Sequence, residues 1–324
     1  MKNMKSNKIK KKSFVQLLRS LKDEKSCREF LEKIRWQGNP VCPHCGCQSE
    51  GEKWRHYKLK SCGQFKGLYK CRDCRQRFTV TIGTMFEGTH CSLQNWMYAI
   101  YIFLSHKKGI SSVQLAKDIG VTQKTAWFML HRIRHNFESI FNIRFEEKTQ
   151  VDETYVGGKN RRRKDIKGTQ GRSLKIKTPV VGLLSNGGVY TIVVPGTSKK
   201  ILSTIINAKV KKGSTIVSDG WRGYNGLSKN YNHEIVLHSE KEYVNESGFH
   251  TNSIEGFWSH LKRGLIGIYH VASSKYLSRY CDEFAFRYNS RNFSDEIRFT
   301  QFLVSAYRRL KYQELSLFNE TFAK

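Results

Sequence analysis

The sequence predicts a mixed α/β domain in the second half of the chain, preceded by a cysteine-rich module and a helical segment. Short apolar runs alternate with helical patterns from Thr149 onward, which favours an α/β domain. Two C-x2-C pairs and a later apolar series with helical spacing come before it. With 324 residues, 39% of them hydrophobic, the chain is long enough for two or three domains.

Basic residues far outnumber acidic residues in this chain. There are 57 Lys and Arg against 27 Asp and Glu, giving a formal net charge of +30 and an isoelectric point near 9.9. The excess is concentrated in tracts, which favours a polyanionic partner such as nucleic acid over a merely solvated basic surface. No apolar run, including the one at residues 98–104, approaches the ~18 residues of a spanning helix, so no membrane partner is expected.

The first twelve residues contain six lysines and no acidic residue. They have no uninterrupted apolar core of the kind found in secretion signals, so we expect a cytoplasmic protein with reduced cysteines. Self-repulsion is expected to keep this tract disordered until DNA phosphates screen it. Apolar residues between Phe14 and Trp36 recur at helical spacing, so residues 1–40 are interpreted as a basic tail followed by short helices.

Two cysteine pairs predict a metal site. The sequences CPHCG (42–46) and CRDC (71–74) each contain C-x2-C, a tight turn that directs two thiolates to one position. Two such turns supply the four sulfurs of a tetrahedral zinc site. We therefore predict a zinc ribbon over residues 41–90, with Zn²⁺ bound by Cys42, Cys45, Cys71 and Cys74. Cys47 or Cys62 is an alternative for one of these ligands.

A helix-turn-helix pattern follows the ribbon. Ser92 stands at the N-cap of an amphipathic helix, and residues 111–135 combine an apolar helix face, Gly120 in a short turn and a second helix from near Thr122. This predicts a DNA-binding region over residues 91–145, although two helices packed without DNA would match as well. The second helix is expected to present outward the side chains that contact bases and phosphates, namely Gln123, Lys124, His131, Arg132 and Arg134.

The region after Thr149 reads as an ordered series of strands and helices. The pattern predicts, in turn, a strand, a hairpin with an Asn-Gly-Gly turn, a helix, two strands and a helix, at 149–158, 178–196, 199–213, 214–220, 233–239 and 250–264. We interpret residues 146–295 as one catalytic domain and residues 296–324 as a C-terminal helical tail.

Two aspartates stand where metal chemistry needs them. Asp152 lies in the first strand and Asp219 ends the strand IVSD, and neighbouring strands would bring both carboxylates together. Oxygen ligands in such positions suit a pair of Mg²⁺ ions about 4 Å apart in phosphodiester chemistry. Aspartates at strand ends are also common turn formers.

A basic segment separates the first two of these strands. Residues 159–177 contain nine basic residues and one acidic residue, with three consecutive arginines at Arg161, Arg162 and Arg163. Beside a carboxylate site such a segment is expected to clamp DNA, and a solvated loop is the alternative.

The motifs VDETYVGGK, SDGWRGY and HTNSIEGFWSHLKRG, preceded by CPHCG and CRDC, together resemble those of bacterial insertion-sequence transposases with an N-terminal zinc ribbon and a DDE catalytic domain. The resemblance extends from about Phe14 to Asn292. It implies an RNase H-like (integrase-like) fold and assigns Asp152 and Asp219 as the first two ligands of Mg²⁺ or Mn²⁺. Glu153 follows Asp152 directly, but adjacent residues on a strand face opposite sides, and the family pattern selects Asp152.

The activity implied by the resemblance is DNA transposition. Such an enzyme binds the ends of an insertion sequence, cleaves a strand with metal help and joins the freed 3′-hydroxyl to target DNA. Its partners would be double-stranded DNA and further copies of the chain in a synaptic complex. A DNA-binding regulator without catalysis and an RNase H-like nuclease are the rival functions.

The third metal ligand has two candidates on the helix of residues 250–264. At ~100° per residue, Asn252 and Glu255 are about 60° apart, and Lys262 lies within about 20° of Glu255. Glu255 offers a charged oxygen with Lys262 placed for a DNA phosphate, whereas the resembled family often has Asn where Asn252 stands. We expect both to face the metal, with Asn252 the direct ligand and Glu255 the alternative. Helix capping by Asn252 and a dipole interaction of Glu255 are the non-catalytic readings.

Overall fold

The computed structural model describes residues 14–49, 56–60, 66–137, 143–157, 174, 176–186, 188–236, 244–245 and 247–316. These residues form two compact units. The first contains the described residues up to Lys107 together with Ser112–Asn136 and Asn292–Tyr312, and the second contains Lys108–Ser111, the described part of Phe137–Arg291 and the described residues from Gln313 onward. The finer boundaries expected from the sequence stay a prediction.

Helices and strands follow the order that the sequence patterns predict. The helices are α1 Phe14–Ser20, α2 Glu24–Trp36, α3 Leu93–Ser105, α4 Ser112–Ile119, α5 Gln123–His135, α6 Lys199–Lys209, α7 Asn252–Gly264, α8 Leu277–Asn289, α9 Asp295–Ser305 and α10 Tyr312–Ser316. The strands are β1 Tyr57–Lys58, β2 Tyr69–Lys70, β3 Arg77–Phe78, β4 Thr149–Val156, β5 Thr178–Ser185, β6 Gly188–Val193, β7 Thr215–Asp219 and β8 Asn232–Val236. Among the described helices, none has the length and apolar character needed to cross a membrane.

Side-chain caps fix where several helices of the first unit begin. The Ser92 hydroxyl accepts the Asn95 backbone N–H at 3.1 Å, so the N-cap predicted for α3 is confirmed. A carboxylate from another helix reinforces this end, because Glu24 accepts the Leu93 N–H at 2.9 Å. Thr122 caps α5 in the same way through the Thr125 N–H.

The predicted helix-turn-helix is present as a local arrangement. Between α4 and α5, Gly120 adopts a φ of +66°, a left-handed conformation that glycine tolerates because it has no Cβ. Residues 74–86, CRQRFTVTIGTMF, contain β-branched residues that favour a strand, but the strand that forms in this stretch is short. Only Arg77–Phe78 pair with β2, antiparallel, and turns follow from Val80.

The second unit is built on a five-stranded mixed sheet with the order β6-β5-β4-β7-β8. The hairpins make β4, β5 and β6 antiparallel neighbours, whereas β7 and β8 run parallel to β4. Each strand predicted in this unit is observed, and the mixed α/β class expected from the sequence is confirmed.

The two faces of this sheet carry separate cores. One face packs against α6, through Val151, Val181, Leu183, Leu202, Ile206 and Ile216. The other face packs against α7 and α8, through Val180, Leu184, Ile254, Phe257, Leu261 and Phe284. Because side chains alternate along a strand, even-numbered residues of β4 face the α7 side and odd-numbered residues face α6.

Candidate active site and metal centre

The pairing of β4 with β7 brings two aspartates together. Thr149 pairs with Ile216 and Gln150 with Val217 in a parallel register. Two residues further along both strands, this register sets Asp152 beside Asp219, and both point to the α7 side of the sheet. The structure therefore juxtaposes the two carboxylates that the sequence predicted to meet.

The surroundings of Asp152 disfavour the charged form of its carboxyl group. Burial, followed by the neighbouring charges of Glu153 and Asp219, raises the pKa of its carboxyl to about 7. A hydrogen bond from Trp258 acts in the opposite direction by stabilising the charged form. Two carboxylates that repel each other in a partly buried position are chemically suited to a divalent cation, since its charge would offset both the repulsion and the burial.

Glu153 faces away from this pair. Its Oε2 accepts a hydrogen bond of 2.7 Å from the hydroxyl of Tyr224, a buried residue on the α6 side. The two adjacent side chains thus face opposite sides of the sheet, as expected for a strand, and Asp152 is the one on the α7 side. Tyr224 belongs to the SDGWRGY motif, so that motif supports both faces of the sheet.

Asp219 also shapes the turn that follows β7. Its Oδ1 accepts the backbone N–H of Trp221 at 3.1 Å. The turn-forming role that the sequence left open is therefore real, and it coexists with the position beside Asp152.

Hydrogen bonds of Gln150 and Trp258, which the sequence analysis did not name as site residues, connect β4 with α7. Gln150 Oε1 accepts the Ile254 backbone N–H at 3.0 Å, and its amide nitrogen lies 3.3 Å from His250 Nδ1. Trp258 Nε1 donates to Asp152 Oδ2 at 3.0 Å. The sequence offered two signs of these contacts: Gln150 is a polar residue within a predicted strand, and Trp258 belongs to the motif HTNSIEGFWSHLKRG.

The three functional candidates on α7 are all exposed at its surface. Thr251 is the residue that precedes the helix, and Asn252 is its first helical residue, so the reading of Asn252 as the helix cap is wrong. The Thr251 hydroxyl donates to Glu255 Oε1 at 3.2 Å. Among described residues, Asp152, Asp219 and Glu255 do not form a group whose ligand atoms all lie within 4.8 Å.

The four predicted zinc ligands do meet. Cys42 Sγ lies 3.7 Å from Cys74 Sγ, Cys45 Sγ lies 3.6 Å from Cys71 Sγ, and all four sulfurs are within 4.8 Å of one another. Tetrahedral Zn–S bonds of about 2.3 Å place sulfurs about 3.8 Å apart, so the observed cluster fits zinc. The four cysteines are free thiols rather than disulfides.

Cys47 lies close to this cluster without completing it. Together with His56 and Cys71 it forms a second group of candidate ligands. His56, however, lies 3.1 Å from the Cys47 carbonyl through Nε2, and its Nδ1 accepts the Arg72 N–H at 3.3 Å. Both ring nitrogens thus support the ribbon backbone instead of a metal. Cys62, the other alternative ligand, lies outside the described residues.

The five residues predicted on the outer surface of α5 divide into two groups. Gln123 and Lys124 are exposed, as expected. The outward orientation expected for the other three is wrong, because all of them are buried: His131, Arg132 and Arg134. Arg161, Arg162 and Arg163 lie outside the described residues.

Specific contacts explain this burial. Arg132 Nε donates to the Leu310 carbonyl at 2.8 Å, and its terminal nitrogen donates to the Glu87 carbonyl at 3.1 Å. The Arg134 guanidinium lies 5.5 Å from the centre of the Phe103 ring. These cations therefore support the interior of the first unit and are not available to DNA.

Two family models match the chain. Residues 144–289 match the ISXO2-like transposase domain of the IS1595 group, and residues 22–77 match a transposase zinc-ribbon domain. The first match includes both aspartates and α7, and the second includes the four clustered cysteines.

Curated relatives agree with these matches. A transposase-like protein of Haemophilus influenzae is 31% identical over 117 residues, which are 36% of this chain and 93% of the relative. A protein of the transposable element ISH50 of Halobacterium salinarum is 26% identical over 261 residues, covering 76% of this chain and 85% of the relative.

Among solved structures, a pre-cleavage Mos1 transpososome aligns with 65% of this chain and 79% of its own chain, at 12% identity and a TM-score of 0.23. A TM-score of this size does not by itself establish a common fold.

The cysteine geometry predicts one zinc ion per chain. Replacing Cys42 and Cys45 by serine should remove it and unfold the ribbon, because structural zinc supplies folding energy directly. Metal analysis of the purified chain should find about one equivalent of zinc in the wild type and none in the double variant. Replacing Cys91, which is outside the cluster, by serine is the matched control and should retain the metal; a folded wild-type protein without zinc would contradict the assignment.

Proposed function

Since the chain belongs to the family of transposases that carry a zinc ribbon and an ISXO2-like transposase domain, we propose that it cleaves DNA at the ends of an insertion sequence and joins the freed 3′-hydroxyl to target DNA. The observation that carries the proposal is the parallel juxtaposition of Asp152 and Asp219 on one face of the sheet. Both reaction steps are attacks of an oxygen on phosphorus, so one site serves both.

Asp152 and Asp219 would hold Mg²⁺ or Mn²⁺. Such ions, when bound, activate an attacking oxygen and stabilise a leaving oxygen in phosphodiester chemistry. The protein itself contributes orientation: Asp152 is held by the Trp258 indole, and Asp219 is held by the Trp221 backbone amide. Lys262, which is exposed on α7, would bind a phosphate of the DNA strand.

The third acidic ligand is proposed to be Glu255 in preference to Asn252. The contact between Trp258 and Asp152 shows which side of α7 faces the aspartates. At ~100° per residue Glu255 lies about 60° from Trp258, whereas Asn252 lies about 120° away. Lys262 lies about 40° from Trp258 and shares the same stripe. The hydrogen bond from Thr251 further orients the Glu255 carboxylate, which offers the charged oxygen that Mg²⁺ prefers.

Glu255 does not yet complete a compact carboxylate cluster with the aspartates. Because catalytic contacts tighten when cation and substrate bind, and because a glutamate has three rotatable side-chain bonds, we propose that it swings inward on binding. Asn252, with its shorter side chain and greater angular distance, would remain outside the first ligand shell.

We propose that the first unit recognises the DNA. The net charge of +30 supplies nonspecific attraction to the phosphate backbone. Gln123 and Lys124 lie exposed at the start of α5, the part of a second helix that reaches base edges in helix-turn-helix proteins. Double-stranded element ends and target DNA are the proposed ligands, and a pair of ends requires a homo-oligomer in the synaptic complex.

Replacing either Asp152 or Asp219 by asparagine tests the proposed chemistry. Each change preserves shape but removes a charged metal ligand, so cleavage and joining should fall by roughly 10³-fold while binding of element ends is retained. The measurement is a strand-transfer assay with labelled ends of the flanking element, alongside a gel-shift assay. Normal joining by either variant would refute the two-metal site, and cleavage without joining by the wild type would indicate a nuclease.

The choice between the two α7 candidates has its own test. Glu255→Gln should reduce cleavage about as strongly as the aspartate variants, because it removes a negative ligand at constant size. Asn252→Ala should change cleavage less than about tenfold. Rates in both variants are compared under the same metal concentration, and a severe defect in Asn252→Ala with a mild one in Glu255→Gln would restore Asn252 as the ligand.

Lys124→Gln tests DNA recognition by α5. If Lys124 contacts a phosphate, the neutral side chain should flatten the plot of log affinity against log salt by about one unit of slope. Affinity for a duplex of the element end is measured from low to physiological salt. Lys22→Gln, an exposed lysine outside the two helices, is the control; an equal change in both variants would show that Lys124 adds only general charge.

A further inference from the structure

The junction between α7 and β4 is built from two hydrogen bonds with matching spacing. Gln150 and Asp152 are two residues apart on one face of β4, a separation of about 7 Å. Their partners, the Ile254 N–H and the Trp258 indole, are four residues apart on α7, a rise of about 6 Å. Because the two spacings agree, the pair of bonds fixes both the position of α7 along the strand and its rotation about its own axis.

Gly182 provides the space for this junction. It pairs with Asp152 across the β4–β5 ladder. A Cβ at residue 182 would lie 2.5 Å from Trp258 Cζ2 and 3.2 Å from Ile254 Cδ1, so any side chain there would displace the indole. This glycine does not have a positive φ, so its requirement is steric. The indole therefore fills a space beside β4 and β5 that exists because residue 182 has no side chain.

The indole is also held by its surroundings. Trp258 is buried, and its ring lies 5.1 Å from that of Phe257 in the core between the sheet and α7–α8. A buried aromatic ring with this packing has little rotational freedom. Because the Trp258 ring is more rigidly held than the Asp152 carboxylate, the indole N–H can fix the orientation of that carboxylate.

We propose that Trp258 is a positioning residue for Asp152, with Gln150 setting the start of α7 and Gly182 making room for the indole. The proposal rests on the proposed role of Asp152 as a metal ligand. The indole N–H occupies Oδ2 and thereby presents Oδ1 to the divalent cation. Groups that orient a ligand in this way typically alter metal affinity by 10–100-fold when they are replaced.

The same junction sets the position of the third ligand. Glu255 is one turn before Trp258, and the hydrogen bond between Gln150 and Ile254 lies at that level of the helix. If α7 turned about its axis or slid along β4, Glu255 would no longer be able to reach the aspartates on swinging inward. Trp258 and Gln150 thus hold two metal ligands from different elements in one arrangement, without either of them touching the DNA or the cation.

The test is Mn²⁺ binding to the full-length, zinc-loaded chain in the absence of DNA. Free Mn²⁺ is followed by electron paramagnetic resonance, so the readout does not depend on strand transfer. Trp258→Phe keeps a ring in the core but removes the N–H, and it should weaken Mn²⁺ binding by about 10–100-fold. Trp96→Phe is the matched control, because Trp96 Nε1 also donates a hydrogen bond, to Thr89 at 2.9 Å, and it should bind Mn²⁺ like the wild type.

A second variant keeps the proposal testable if Trp258→Phe does not fold. Gly182→Ala leaves every polar group in place but pushes the indole from Asp152, and it should weaken Mn²⁺ binding in the same range. Wild-type affinity in a folded Trp258→Phe or Gly182→Ala protein would overturn the positioning role.

Asp152→Asn separates this proposal from the proposed function. Loss of Mn²⁺ binding in Asp152→Asn together with wild-type binding in Trp258→Phe would overturn only the positioning role. Unchanged Mn²⁺ binding in Asp152→Asn would overturn the metal site itself, and the positioning role with it.

Discussion

The parallel pairing of β4 with β7 is the constraint on which the catalytic half of the molecule depends. Its register sets Asp152 beside Asp219, and strand alternation sends Glu153 to the opposite core, where Tyr224 binds it. The result is a pair of carboxylates brought close by strand pairing two residues earlier, with the pKa of Asp152 raised to about 7 by burial and by the charges of Glu153 and Asp219. A register shift of one residue would exchange Asp152 for Glu153 and abolish the pair.

Two polar side chains on β4 fix the position of helix α7 on the sheet. Gln150 satisfies a backbone N–H in its first turn, where helices have donors without internal partners, and Asp152 receives the Trp258 indole. The strand that carries Asp152 therefore also orients the helix that carries Glu255. In this orientation Glu255, one turn before Trp258, lies nearer in angle to Trp258 than Asn252 does, which is why we propose it as the third metal ligand.

The first unit shows where reasoning from charge and periodicity succeeds and where it fails. The cysteine spacing predicted four sulfurs that do meet, and the caps at Ser92 and Thr122 begin the helices as expected. The basic end of α5 was assigned to the surface, but Arg132 reaches the carbonyls of Glu87 and Leu310. Those partners are far away in sequence, so no local pattern could have revealed that the cation is buried.

The sequence by itself predicted the four clustered cysteines, the strands of the mixed sheet, the hairpin and two aspartates that lie close together, because these depend on neighbouring residues and on motif spacing. Only the tertiary structure decided the rotation of α7, the side of the sheet that Asp152 faces, and the burial of Arg132. The physical reason is that each of these rests on contacts between distant residues: the indole of Trp258 and the carboxylate of Asp152 are 106 positions apart. Helical periodicity gives the angle between two side chains of one helix, but the partner that fixes that helix must come from elsewhere in the chain.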